Sequence, residues 1–191
     1  FVLMACGERN NMEFKVFETS ASGKNLEEVS NFSASENHSK ISVNLESERQ
    51  SIVGFGGAFT ESSAYNLNKL SPENRLSVIK AYFAKSGANY SLTRTHMNSC
   101  DFSVSNYSYS PVEGDVNLDH FNIEEDRDDL IPMIKDALAI SEDGFKLFAS
   151  PWSAAPWMKD NNDWRAGKLK EEYYDTWALF FSKYASAYAE E

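Results

Sequence analysis

Between Phe148 and Trp157 the chain reads Phe-Ala-Ser-Pro-Trp-Ser-Ala-Ala-Pro-Trp, which puts two tryptophans and two prolines inside seven residues. The apolar run Phe145 to Ala149 stops at Ser150-Pro151, because proline fixes φ and lacks the N–H that a central strand uses. The segment predicts a buried strand opening into a rigid loop that presents flat aromatic surface. Indole faces there, at Trp152 and Trp157, suit the apolar face of a sugar ring; the alternative is that both are core. A second stretch, Arg94-Thr-His-Met-Asn-Ser-Cys-Asp-Phe102, ends an apolar strand pattern with Asp101. A carboxylate in that position can accept charge-assisted hydrogen bonds from sugar hydroxyls, and a nearby Arg94 keeps it ionised. The plainer alternative is a structural Asp101–Arg94 pair. Glu61, following Gly56-Gly-Ala-Phe-Thr60, is either a site acid or an acid at a helix N-terminus, and His96 reads as a hydrogen-bonded structural histidine.

Other chemistries lack their residues. Gly54-Phe-Gly-Gly57 does not have dinucleotide-loop spacing, and no Lys-Ser/Thr follows a Gly-rich turn. No Gly-x-Ser-x-Gly elbow occurs. His38, His96 and His120 have no ligand spacing with one another or with the cysteines, so no metal and no cofactor is expected. The net charge of −11, without a Lys/Arg cluster, argues against nucleic acid and against anionic membrane surfaces as partners. No apolar run approaches the roughly 18 residues that span a bilayer.

The elements that must position these residues follow from periodicity. Glu13 to Thr19 and Lys40 to Leu45 alternate apolar and polar, as half-buried strands of a small antiparallel sheet. Residues 20–39 are Ser/Asn/Glu-rich and loop-like. Ile52 to Phe55 predicts a short strand. Ser71-Pro72 predicts a helix start, with Leu76, Ile79, Tyr82 and Phe83 on one face and Gly87 at its end. Asn89 to Thr95 is the next strand. A helix from about Asp129 to Ser141 turns Leu130, Met133, Ile134, Ala137 and Leu138 inward; Asp126, Asp128 and Asp129 suit the positive end of its dipole. Phe145 to Ala149 is the third strand. A helix from Glu172 turns Tyr174, Trp177, Phe181, Tyr184, Ala185 and Tyr188 inward. Strands alternating with helices imply a parallel sheet with right-handed crossovers. Ser103 to Glu124 and Met158 to Lys170 are far longer than the usual loop of about 4–6 residues and leave strand C-termini, where α/β enzymes keep their chemistry.

The N-terminus, Phe1-Val-Leu-Met-Ala-Cys6, resembles the end of a secretory signal with a lipobox-like Leu3-Met-Ala-Cys6. The expectation is an exported protein, either secreted or a bacterial cell-envelope lipoprotein lipidated on Cys6, with residues 1–12 as signal remnant and tether. Contact with a membrane would come only through that anchor. Cys100 reads as a buried free thiol.

Taken in order, Gly54-Phe-Gly-Gly-Ala-Phe-Thr-Glu61, Arg94-Thr-His-Met-Asn-Ser-Cys-Asp-Phe-Ser103 and Ala149-Ser-Pro-Trp-Ser-Ala-Ala-Pro-Trp-Met158 resemble glycoside hydrolase family 30, the glucosylceramidase branch above all. The resemblance implies a (β/α)8 TIM barrel beside a β-sandwich. Residues 13–48 would be N-terminal strands of the sandwich and 49–191 the first three βα units of the barrel, an incomplete fold. It implies a retaining β-glycosidase acting on a β-glucoside, glycolipid or β-glucan. Asp101 would hold sugar hydroxyls, Trp152 would line the glycone pocket, Arg94 would buttress it and Phe102 would border it. The family's acid/base lies in an Asn-Glu-Pro, which these 191 residues do not contain. The expected chain is therefore the front of a sugar pocket, inactive alone, with both catalytic glutamates beyond residue 191. Two other possibilities are a surface lipoprotein that binds glycan without cleaving it, and a small complete enzyme using Asp101 and Glu61.

Overall fold

The structure, a computed structural model, describes residues 15–30, 39, 41–44 and 46–191. Cys6, His38 and the start of the first expected strand lie outside the described residues. The chain divides into two compact units, Phe1–Ser51 and Ile52–Glu191.

In the first unit β1 (Phe17–Glu18) pairs antiparallel with β2 (Glu27–Glu28), Phe17 opposite Glu28. The expected partner, Lys40 to Leu45, is corrected: its described residues, 41–44, are not a strand, and Ile41 and Val43 are exposed. The partner comes instead from the stretch read as loop. Gly23 takes φ +101 and donates its N–H to the Ser20 carbonyl, which folds a short hairpin. Closing that short turn costs less chain entropy than reaching across residues 20–39. Lys24 clips the hairpin with an ion pair to Glu18 at 2.6 Å.

The second unit opens with a segment, residues 52–59, running parallel to β3 (Leu92–Met97). It donates and accepts ladder bonds (Phe59 N–H to the Arg94 carbonyl, 2.8 Å; Arg94 N–H to the Gly57 carbonyl, 3.2 Å), yet it is joined only by an Ala58–Arg94 bridge. The expected strand Ile52 to Phe55 is thus an irregular extended segment. Gly56 is required there, since a Cβ would sit 1.4 Å from the Leu92 carbonyl oxygen. The same glycines that permit this approach weaken regular pairing. β3 pairs in parallel with β4 (Lys146–Pro151), from Leu92–Lys146 to Met97–Pro151.

Three observations correct expectations about β4. It runs through Pro151 rather than stopping at Ala149. Lys146 and Trp152 direct their N–H groups to the Ser91 and Met97 carbonyls, so even-numbered amides face β3 and the missing N–H of Pro151 points away. It is also not buried: Leu147 and Phe148 are exposed.

Helices fill the crossovers. Thr60 caps α1 (Glu61–Leu67) by accepting from the Ser63 N–H, and Ser71 caps α2 (Pro72–Phe83) by accepting from Asn74, with Pro72 leading as its sequence predicts. α3 (Glu124–Asp128) breaks at Asp129 and α4 (Leu130–Ile140) follows, placing Pro132 harmlessly in the first turn. After β4 come short 3-10 turns at Pro156–Met158 and Glu171–Tyr173, then α5 (Tyr174–Glu190).

Two apolar layers result. One joins Phe59, Ile79 and Phe83 to Leu130, Met133, Ile134 and Ala137, with Phe59 and Phe83 stacked 5.4 Å apart. Each such ring buried contributes about 1.5–3 kcal/mol. The other is aromatic, gathering Tyr107, Tyr109, Trp157, Phe180 and Tyr184. The helix faces are narrower than periodicity suggests. Leu76, Tyr82, Leu138, Tyr174 and Ala185 are exposed, whereas Ile131 and Phe180 are buried. α4 packs against α1, α2 and α3, whereas the other helices bury narrower stripes, so apolar residues at the margins of those stripes stay in solvent.

Candidate active site

Because β3 and β4 are parallel, the turn bearing Asp101 and the loop bearing Trp152 leave the same end of the sheet. Pairing puts Arg94 and His96 on the face shared by Phe148 and Ser150, and Trp152 continues that parity. The Arg94 guanidinium lies 4.7 Å from the Trp152 ring centre, over its face. The indole is 45% exposed, held from one side and open on the other. Such a cation–π contact contributes about 0.5–1 kcal/mol and orients the ring.

Asp101 is exposed in the turn after β3 and makes no ion pair with Arg94 among the described residues. The alternative of a structural Asp101–Arg94 ion pair is corrected. Arg94 points along the face toward Trp152, and Asp101 lies seven residues on, beyond the strand's end. Phe102 is 61% exposed, and its carbonyl accepts the Ser62 N–H at 2.9 Å. Glu61 Oε2 accepts the Val104 N–H at 3.2 Å, and the Glu61 N–H reaches His96 Nε2 at 3.4 Å. The start of α1 is thereby stitched to the Asp101 turn. Glu61 acts as a tether for that turn, and His96, buried with Nδ1 bonded to the Asn98 carbonyl, as a post beneath it. Cys100 is only partly buried; burial pushes its thiol pKa up, and its Sγ accepts the Phe102 N–H.

The two tryptophans of the loop after β4 part company. Trp157 is 6% exposed, donates Nε1–H to the Ser110 carbonyl at 3.0 Å, and meets Tyr173 edge-on at 4.9 Å. It is core. Lys159, also buried, donates to Ser153 Oγ (2.8 Å) and the Ala166 carbonyl (3.2 Å), and burial depresses its pKa. It ties the 158–170 loop beneath Trp152, where a cavity of about 270 Å³ is lined by Trp152, Ser153, Lys159, Leu169 and Trp177. A larger cavity of about 500 Å³, between α1 and α2, is lined mainly by Phe59, Leu67, Leu70, Ile79 and Phe83 and offers no acid, base or nucleophile beyond neutral hydroxyls and an amide.

Two functional positions escaped the sequence. Asn98 is fully buried and bonds to the loops after both strands. Asp126, expected as an acid at the positive end of a helix dipole, is buried and accepts from the hydroxyls of Tyr107 (3.1 Å), Tyr109 (2.6 Å) and Tyr188. Desolvation raises its pKa while those hydroxyls oppose the rise. It anchors the long loop after β3 to α5. The one available signal was the Tyr107-Ser-Tyr109 alternation, aromatic enough for a core yet set in a loop.

Parallel strands with helical crossovers thus carry an exposed indole and a carboxylate-bearing turn at the same, C-terminal end of the sheet. The sequence model of the glycosyl hydrolase family 30 TIM-barrel domain matches residues 52–191, and the chain belongs to that family. Among its relatives, the lysosomal acid glucosylceramidase of Mus musculus is 35% identical over 185 residues, covering 92% of this chain and 36% of that protein. The crystal structure of SrfJ from Salmonella typhimurium superposes with a TM-score of 0.70 at 38% identity, covering 74% of this chain and 32% of that one. An endo-β1,6-glucanase structure gives a TM-score of 0.74 at 29% identity, covering 92% of this chain and 39% of that one. The chain thus spans about a third of the length of each.

Proposed function

We propose that this chain supplies the glycone-holding part of a retaining β-glycosidase, glucosylceramidase-like, acting on β-glucosides of glycolipid or β-glucan. The observation that carries it is Trp152, half open, backed by Arg94 and leaving the same C-terminal end of the parallel strands as the Asp101–Phe102 turn. An indole face covers the C–H face of a pyranose, and Asp101 accepts from its hydroxyls. The open surface of Phe102 borders the same space. Residues 49–191 form the front of a barrel on this reading, and residues 13–48 contribute strands to a β-sandwich.

Double displacement needs two carboxyl groups about 5–5.5 Å apart. Glu61 is tied to the Val104 N–H, which favours a tethering role for it over one in that pair. Both catalytic glutamates are assigned to chain beyond residue 191. The 191 residues alone are expected to turn over no substrate. Export with a lipid anchor at Cys6 belongs to the same proposal, motivated by Leu3-Met-Ala-Cys6; Cys6→Ser should move the full-length product from the membrane to the soluble fraction.

The decisive experiment is hydrolysis of an aryl β-glucoside by the full-length gene product, with the anomer of the first-formed sugar read by NMR. Retention is expected, with at least a 100-fold loss of kcat/KM in Asp101→Ala. Glucoside binding without hydrolysis would leave the non-catalytic glycan-binding alternative. An open reading frame without Asn-Glu-Pro soon after Glu191 would sink the glycosidase assignment.

A further inference from the structure

The sugar-gripping groups sit on two separate loops, and something must hold those loops in register. We infer that Asn98 is the positioning residue that does so, an inference that rests on the glycosidase reading above. Asn98 is the first residue past β3 and is fully buried. Its φ of +61 lies in the left-handed region, which asparagine tolerates better than most side chains, and there it turns the chain away from the strand axis.

Both polar atoms of its side chain are committed, one to each loop. Nδ2 donates to the Ser153 carbonyl at 2.8 Å, directly after Trp152. Oδ1 accepts the Tyr109 N–H at 2.9 Å and the Ser108 hydroxyl at 3.3 Å, fixing the far limb of the loop that carries Asp101 and Phe102. Its backbone carbonyl bonds to His96 Nδ1, and His96 in turn meets the Glu61 N–H at the start of α1. One residue therefore links the Trp152 loop, the Asp101 loop and the post beneath them. The Trp157 Nε1–H bond to the Ser110 carbonyl also joins the two loops, but from within the aromatic layer; Asn98 joins them at the strand ends, next to Trp152. Catalytic sites need their groups held to within roughly 0.5 Å, and loops reach that precision only through supporting contacts of this kind.

The test uses two variants of the full-length product. Asn98→Asp keeps the acceptor for Tyr109 but turns an oxygen toward the Ser153 carbonyl. Asn98→Gly keeps the left-handed backbone and its carbonyl bond to His96 without strain or charge, and removes the side-chain bonds to both loops. Both are expected to raise KM for an aryl β-glucoside roughly 10- to 100-fold, with a smaller change in kcat. Affinity for a glucose-shaped iminosugar should weaken by the same factor, measured at a temperature where circular dichroism shows the variant fully folded. A merely structural asparagine would lower the melting temperature and leave KM and inhibitor affinity within twofold of wild type; that result overturns the inference. Failure of both variants to fold also overturns it, by making Asn98 a folding residue. Wild-type protein without hydrolysis or iminosugar binding would instead strike at the glycosidase reading itself.

Discussion

Trp152 and Trp157 are five residues apart in one loop and live in different worlds. At the rim of the strand ends, Trp152 gives one face to Arg94 and the other to solvent. Beneath it, Trp157 is enclosed by the aromatic layer of Tyr109, Phe180 and Tyr184, with its N–H satisfied by the Ser110 carbonyl. The rim has few buried contacts to lose and much recognition to perform; the layer below has the reverse. Side-chain type does not separate the two roles. What separates them is whether the indole finds a partner for its N–H and a closed apolar shell.

The largest expected break in this comparison is Trp157→Ala, which should cost about 3–5 kcal/mol, close to the whole stability of many domains. Trp152→Ala should leave the denaturation midpoint of the full-length product nearly unchanged while abolishing glycone affinity. Equal destabilisation by the two substitutions would erase the distinction.

A second probe cuts the layer's polar anchor. Asp126→Ala leaves the Tyr107, Tyr109 and Tyr188 hydroxyls without their shared acceptor. A cost of about 3 kcal/mol is expected, since stranded buried donors carry their full desolvation penalty. Protease should then cut first in the 103–123 loop, mapped by mass spectrometry of limited digests. Uniform digestion across the chain would contradict an anchoring role.

The smallest effect concerns Asp129, at the break between α3 and α4. It is buried, with Oδ1 unpartnered, and burial together with the nearby Glu61 charge pushes its pKa up to about 6. The folded protein holds this proton more tightly than the unfolded chain does. Its stabilising contribution is therefore complete below the ordinary value of 3.8 and lost as pH rises through about 6. Asp129→Asn should raise stability by about 1 kcal/mol near neutral pH, after discounting for solvent screening, with no gain near pH 4. A gain independent of pH would show that packing, not charge, sets the difference.

Much of the architecture was readable one residue at a time. Ser71-Pro72 announced α2, the alternation of strand and helix announced parallel pairing, and the motifs around Asp101 and Trp152 announced the family. What stayed hidden depended on partners far along the chain. Asp126 looks like any acid before a helix until Tyr107 and Tyr188 close over it. The strand partner of β1 was misplaced because a short hairpin through Gly23 competes with a more regular but more distant segment.

By itself the sequence determined the order of elements, the helix caps and the residue types at the strand ends. These follow from backbone dihedral preferences and from apolar periodicity, both properties of neighbours in the chain. Only the tertiary structure decided which tryptophan is open, that Arg94 stacks on Trp152 rather than pairing with Asp101, and that Asn98 joins the two loops. Burial and hydrogen-bond satisfaction belong to pairs of residues brought together across tens of positions, and no local pattern encodes which pair will meet.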